Sequence, residues 1–194
     1  MPTKVDHEER RHQIAEAVVR IAATRGLPAA SMREVAAEAG VSLRLVQYYF
    51  HTKQELLAAV LTHLGAQLSA RVRRAIQALG EPATPRARLY ATLTTLLPAD
   101  EESRRIVLAY TAHFTLTLTD PDQAAKGVSH ANGLRDLVTG QFAQARVSGD
   151  PATRAAVTLA LLSGLQMSVL AGQHTGEQAE ALLTAHLDEL FRQR

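Results

Sequence analysis

Between Ser31 and Lys53 the chain reads SMREVAAEAGVSLRLVQYYFHTK. Helix start and stop signals follow one another there too closely for anything but two short helices joined by a tight turn. Ser31 with Glu34 forms a capping box, a hydroxyl for the orphan amides and a carboxylate that can reach back. Gly40 is free to turn left-handed, Ser42 opens a second helix and Thr52 a third. Met32, Val35, Ala36 and Ala39 share one face of the first helix, and Val46 and Phe50 form the inner side of the second. Val41 fills the angle between the helices, while Ala36, Ala39 and Gly40 are small enough for a close crossing. Opposite Val46 and Phe50, the second helix carries Arg44, Gln47, Tyr48 and His51 at spacings of three and four, hence on one side. A protein core has no use for such a polar ridge, whereas the major groove of double-stranded DNA does.

Turning Val46 and Phe50 inward leaves Leu43, Arg44, Leu45, Gln47 and Tyr48 outward. Arg44 can bond guanine through O6 and N7, and Gln47 adenine through N6 and N7; each good bidentate pair gives roughly 1–3 kcal/mol of base discrimination. Tyr48, Tyr49, His51 and Lys53 lie where the helix leaves the groove, a place for phosphate contact. Ser42 and the free amides beside it also suit phosphate. Against this stands a plainer reading, in which the helix pair belongs to an ordinary all-α protein and the two tyrosines pack in a core or a dimer contact.

The remainder of the chain is helical in pattern. Aromatics make up 4% of its 194 residues while Ala and Leu abound, and no stretch sustains strand alternation beyond the short Thr115–Thr119. A first helix runs from Asp6 or His7 to Arg25, ended by Gly26 and Pro28. The helix opened by Thr52 continues to about Leu79. After the GEPATP break at 80–85, helices are expected at 85–97, 101–118, 122–145, 151–172 and 176–192. The expected architecture is all-α: a helix-turn-helix domain over 7–67, with its motif at 31–50, and a helical ligand-binding and dimerisation domain over 68–194. A long fourth helix links the two.

Charge follows the same division. Residues 1–80 hold 11 Lys and Arg against 7 Asp and Glu, the rest 10 against 12, as expected of a chain that grips a polyanion at one end. The absence of cysteine excludes disulfides and thiolate metal sites and fits a cytoplasmic home. The charged N-terminus lacks a secretory apolar region. Ala155–Ala171 is free of charge but about a turn short of a membrane span and dotted with Thr158, Ser163, Gln166 and Ser168. No hydrolase, zinc-protease, P-loop or dinucleotide motif is present, and the eight histidines lack ligand spacing. Neither an enzyme, nor a metal site, nor a cofactor is expected. A helical adaptor whose basic end binds something other than DNA remains the rival class.

The pattern through residues 8–68 resembles the TetR family of one-component regulators. It comprises a helix ending at Gly26, then Ser31-x-Arg33-Glu34-Val35-Ala36, Ala39-Gly40-Val41-Ser42, and Tyr49-Phe50-x-x-Lys53-x-x-Leu56-Leu57. The resemblance implies an all-helical homodimer on a two-fold (palindromic) operator, with a C-terminal pocket for a small-molecule inducer. It implies a base or phosphate contact for Arg33 and a phosphate contact for Lys53. Three positions depart from the family pattern: Arg44 stands where a small residue is usual, Gln47 where an aromatic is usual, and Ala22 where Phe is frequent. Relatives' operators therefore do not transfer. The C-terminal half resembles the choline-responsive (BetI-type) branch in layout, which carries over architecture but not ligand.

Two further expectations concern that half. Leu159, Leu162, Ser163, Gln166, Met167 and Leu170, with Leu183, His186, Leu187 and Leu190, form stripes suited to a four-helix dimer seam; the same stripes also suit an intramolecular core. Tyr110, His113, Phe114 and Thr117, with Gln166 facing them, place polar groups among apolar ones, as a pocket does. A helical Thr can equally bond its own backbone.

Overall fold

The apolar positions of the first helix, Ile14, Ala17, Val18 and Ile21, recur at helical spacing and are wholly buried, with Ala15, Val19 and Ala22 beside them. Such broad burial requires partners on several sides. In the computed structural model, which describes residues 4–117 and 121–192 (side chains of 4–6, 113, 115–117 and 121–132 excepted), α1 (Lys4–Arg25) packs against three other helices. These are α2 (Met32–Ala39), α4 (Lys53–Gln77) and α6 (Glu101–Thr117). Between α2 and α4 lies α3 (Leu43–Tyr49). The chain continues through α5 (Pro85–Thr95), α7 (Pro121–Ala145), α8 (Pro151–Leu170) and α9 (Gly176–Arg192). No strand occurs among the described residues, and Thr115–Thr117 form the last turn of α6. An element missing from the sequence reading is the 3₁₀ turn Leu27–Ala29, which buries Leu27 where Pro28 alone had suggested a break.

The helix starts follow their caps. Thr52, Thr84 and Asp150 each accept a hydrogen bond from the backbone N–H three residues on, at 3.1, 3.2 and 2.8 Å. Pro85 and Pro151 then occupy the first helical position, where no N–H is needed.

Two apolar clusters result. The first joins α1, α2, Val46 and Phe50 to Leu56, Val60 and Leu64 of α4 and to Ile106 and Ala109 of α6. The second gathers Leu89 and Leu93 of α5, Val138 and Phe142 of α7, Leu162 and Leu165 of α8, and Leu183 and Leu187 of α9 around Val72 of α4. Leu68 packs against both. At Ala22, Val18, Val60, Leu61 and Ala109 close around the small side chain and leave an apolar cavity of only about 10 Å³.

Polar contacts tie α4 to its neighbours. His63 Nε2 lies 2.5 Å from Glu16 Oε1, and Gln67 donates to the same oxygen at 2.7 Å. Burial raises the Glu16 pKa, but the bonds from His63 and Gln67 outweigh it, so the carboxyl sits below its usual range. One turn beyond Gln67, Arg71 reaches Asp100 and Glu102 at the start of α6, both at 2.7 Å. The Arg71 guanidinium, helped by the Ser103 N–H, lowers Asp100 from 3.8 to about 2. A depressed carboxyl pKa stabilises the fold above the unfolded value and loses that contribution as pH falls through the folded one. The window here is about pH 4 down to 2. Because Asp100 is more than half exposed, screening keeps the contribution to about 1 kcal/mol or less. Arg71→Met is therefore expected to flatten part of the acid limb of stability between those pH values. Urea unfolding of native and changed chains at several pH values measures this; parallel curves would remove the pair from the account.

Candidate nucleic-acid interface

Local rules build this end of the molecule. Ser31 Oγ accepts the Glu34 N–H at 3.2 Å. The Glu34 carboxylate does not reach back as a full capping box would; it pairs with Arg25 at 2.9 Å, because the end of α1 passes beside the start of α2. Gly40 has φ of 65°, the left-handed conformation that ends α2. Val41 N–H then bonds Ala36 O at 3.0 Å, and Ser42 Oγ accepts the Leu45 N–H at 3.1 Å. With Val46 and Phe50 fully buried, the orientation of α3 follows.

Arg44, Gln47, Tyr48 and His51 are exposed on one side, Tyr48 to 65%. Ser42 and Arg33 are also exposed, and Lys53 and Leu45 are half-buried. Leu43 and Tyr49 are displaced from the expected ridge. Leu43 lies one turn before Val46, and Tyr49 one turn after it, so both lean inward and pack partly on the first core. The Tyr49 hydroxyl meets His7 Nδ1 at 3.0 Å, and the rings of Tyr48 and Tyr49 are edge-to-face at 5.2 Å. The His51 ring is held by Glu55, whose Oε2 lies 3.3 Å from Nδ1 and accepts the His51 N–H at 2.9 Å. That backbone bond is the main reason the Glu55 carboxyl lies below its ordinary range.

Residues of α1 that the sequence reading passed over also reach this region. Arg11 donates to Tyr49 O at 3.2 Å and Gln13 to Ala39 O at 2.8 Å. Their partners are backbone carbonyls 38 and 26 residues away; nothing local in the sequence distinguishes these two from solvated surface.

Of the expected pocket residues, Tyr110, Phe114 and Gln166 have described side chains. Tyr110 packs against the first core, its hydroxyl donating to Leu61 O at 3.4 Å, and burial raises its pKa. Gln166 donates to Leu96 O at 2.8 Å, tying α8 to the end of α5. Phe114 is 63% exposed, and the side chains of His113 and Thr117 lie outside the described residues. A group the sequence reading missed is Gln141 on α7, whose Oε1 is buried with no hydrogen-bond partner among the described residues. No three His, Cys, Asp or Glu side chains among those residues group as metal ligands.

The expected seam also turns. Leu162, Leu183, Leu187 and Leu190 lie in the chain's own second core. Leu159 and Leu170 are half-buried, and His186 lies 3.0 Å from the buried Thr158 Oγ1. Desolvation lowers the His186 pKa. The other side of α8 stays open: Ala156, Val157, Ala160, Ser163, Gly164 and Met167, with Val157 at 54% and Met167 at 41% exposure. Those residues recur every three or four positions, one face along the whole helix. On α9, Ala181, Leu182 and Ala185 are exposed as well.

Comparison with known proteins accords with this geometry. Residues 14–60 match the model of bacterial regulatory proteins of the tetR family, and residues 85–192 that of the C-terminal domain of BetI-type transcriptional repressors. The chain is 34% identical to the HTH-type transcriptional regulator PksA of Bacillus subtilis (strain 168) over 142 residues, 71% of this chain and 66%, just under two thirds, of that protein. It is 30% identical over 190 residues to the HTH-type transcriptional regulator BetI of Burkholderia cenocepacia (strain HI2424), covering 96% of this chain and 95% of that one. The crystal structure of a transcriptional regulator from Rhodococcus sp. Rha1 superposes with a TM-score of 0.84 at 29% identity, over 94% of this chain and 96% of that chain. The protein belongs to the TetR family of DNA-binding transcriptional regulators, in the branch with a BetI-type C-terminal domain. These families are regulators, not enzymes.

Proposed function

We propose that the chain is a ligand-responsive repressor that binds a palindromic operator as a homodimer in the cytoplasm. Residues 7–67 act on DNA; 68–194 hold the ligand and the partner subunit. The observation that carries this reading is the exposed ridge of Arg44, Gln47 and Tyr48, held outward by the burial of Val46 and Phe50. Arg44 and Gln47 read bases in the major groove. Arg33, Ser42, Tyr48, His51 and Lys53 hold phosphates, His51 after loosening its grip on Glu55. Leu43, Leu45 and Tyr49 are left a minor part by their burial. Repression is favoured over activation because a bulky dimer on a promoter blocks polymerase without a special contact surface. Selection from random duplexes tests the assignment. Arg44→Ala and Gln47→Ala are each expected to relax preference at one base position, a loss of about 1–3 kcal/mol of discrimination. Lys53→Ala should weaken all duplexes alike and lower the salt slope by about one. Unchanged selection in the first two variants would show the groove assignment to be wrong.

The dimer uses the open face of α8, where small side chains permit close approach, flanked by Leu182 of α9 at 45% exposure. A two-fold pair would set the recognition helices about 34–36 Å apart, one turn of DNA. Ala160→Arg puts a charge in the middle of that face. Sedimentation should then report a monomer, with operator affinity lost in parallel; a persisting dimer would place the interface elsewhere.

The inducer lies among α5 to α8, where the orphaned Gln141 oxygen is a ready acceptor. Choline does not carry over from the branch resemblance, because a trimethylammonium group is held by converging aromatic faces. Residues 68–194 hold five aromatic residues, of which Phe142 and Phe191 pack on the second core, Tyr110 packs on the first and Tyr90 holds Glu180. Ligand binding acts by favouring one tilt of α4 over another, and only by its differential affinity for the two. A compound found by thermal-shift screening should weaken operator binding by the native chain and lose that effect in Gln141→Leu. If every such compound acts equally on the variant, Gln141 has no part in the site.

A further inference from the structure

The recognition helix is seven residues long, and Val46 is its one fully buried side chain, with Phe50 just past its end. Two buried anchors on one line resist translation of a short helix better than they resist its rolling. Leu43 and Tyr49 pack partly beside them, and α1 adds a polar hold. Arg11 is half-buried, with its Nη1 donating to the carbonyl of Tyr49, the last residue of α3. Its guanidinium carbon lies 4.6 Å from the centroid of the Phe50 ring. A cation at a helix C-terminus meets carbonyls that have no partner inside the helix and the negative end of its dipole; over an aromatic face it gains further. Two residues on, Gln13 makes the equivalent bond to the last carbonyl of α2. A single turn of α1 thereby grips the ends of both helices of the motif.

We infer that Arg11 is a positioning residue for base recognition: it sets the roll of α3 and so the aim of Arg44 and Gln47, without touching DNA itself. At the outer radius of a helix, about 5–6 Å, a roll of about 10° moves a side chain by about 1 Å. That is the difference between a made and an unmade hydrogen bond. The opposing assignment, Arg11 as one more phosphate contact from the basic end of the chain, has a different signature. Losing a phosphate contact weakens all duplexes equally and flattens the salt dependence. Losing alignment lowers affinity for the chosen sequence alone.

The inference rests on the reading of Arg44 and Gln47 as base contacts, and the experiment separates the two. The full-length native chain, Arg11→Met and Arg11→Lys are compared on the duplex selected by the native chain and on a scrambled duplex of equal length, across a salt series. Far-UV circular dichroism at the assay temperature accompanies the measurements. Arg11→Met keeps the aliphatic stem on Phe50 and is expected to lower the ratio of selected to scrambled affinity roughly tenfold, a partial loss of bidentate contacts. Its scrambled-duplex affinity and salt slope should match the native ones, and Arg11→Lys, which retains a cation and donor near Tyr49 O, should recover most of the ratio. An unchanged ratio, a uniform loss with a flattened slope, or a ratio lost together with helical signal in both variants overturns the inference. A native chain that selects no sequence at all overturns instead the base-contact reading on which it stands.

Discussion

Everything at the DNA-facing end leans on the burial of one helix. Ile14, Ala17, Val18 and Ile21 of α1 are surrounded by α2, α4 and α6, and neither α2 nor α3 is long enough to be stable alone. The apolar area that α1 removes from water, at about 25 cal/mol per Å², underwrites the turn at Gly40 and the outward face of α3. The proposed recognition surface is in that sense a by-product of packing: its residues are exposed because Val46 and Phe50 are not. Polar groups then refine what burial begins, Arg11 and Gln13 at the helix ends and Arg20 and Arg25 along the flank of α2.

The second consequence of the packing is that α4 belongs to both cores. Leu56, Val60 and Leu64 are committed to the first and Val72 to the second, with Leu68 shared. A helix anchored in two places cannot tilt at one end without a response at the other, since close-packed interiors transmit displacement. Arg71, between Leu68 and Val72 on α4, is fastened to the start of α6. This gives the proposed ligand response a physical route, from α6 through α4 to the spacing of the recognition helices.

How much of this was legible beforehand differs by region. Caps and glycines around 31–53 act within a few residues, so Ser31, Gly40, Ser42 and Thr52 could be placed from their neighbours alone. Each was found at the end or start of a helix. The sidedness of α8 was harder. Its two faces are both apolar, and periodicity shows that a stripe exists without saying which stripe meets the protomer and which stays open. Leu162 and Leu165 face inward with Ala155, whereas Val157 and Met167 stay open beside Ala156, Ala160 and Gly164, so side-chain size alone does not sort the two faces. Tyr110 and Gln166 share the same difficulty: polar residues on helices, whose partners, Leu61 O and Leu96 O, are set by long-range packing. Leu43 and Tyr49 lie only a fraction of a turn from the exposed side of a seven-residue helix, and that is enough to leave both partly buried against the first core.

The clasp between α1 and α4 bears on how descendants of this chain can change. Glu16, His63 and Gln67 converge on one carboxylate oxygen in a half-buried setting. Removing the Glu16 carboxylate takes the shared acceptor from both His63 and Gln67, and an uncompensated polar group of that kind is costly. What can replace Glu16 in a descendant then depends on what stands at His63 and Gln67, an epistatic link between positions 47 residues apart in the case of Glu16 and His63.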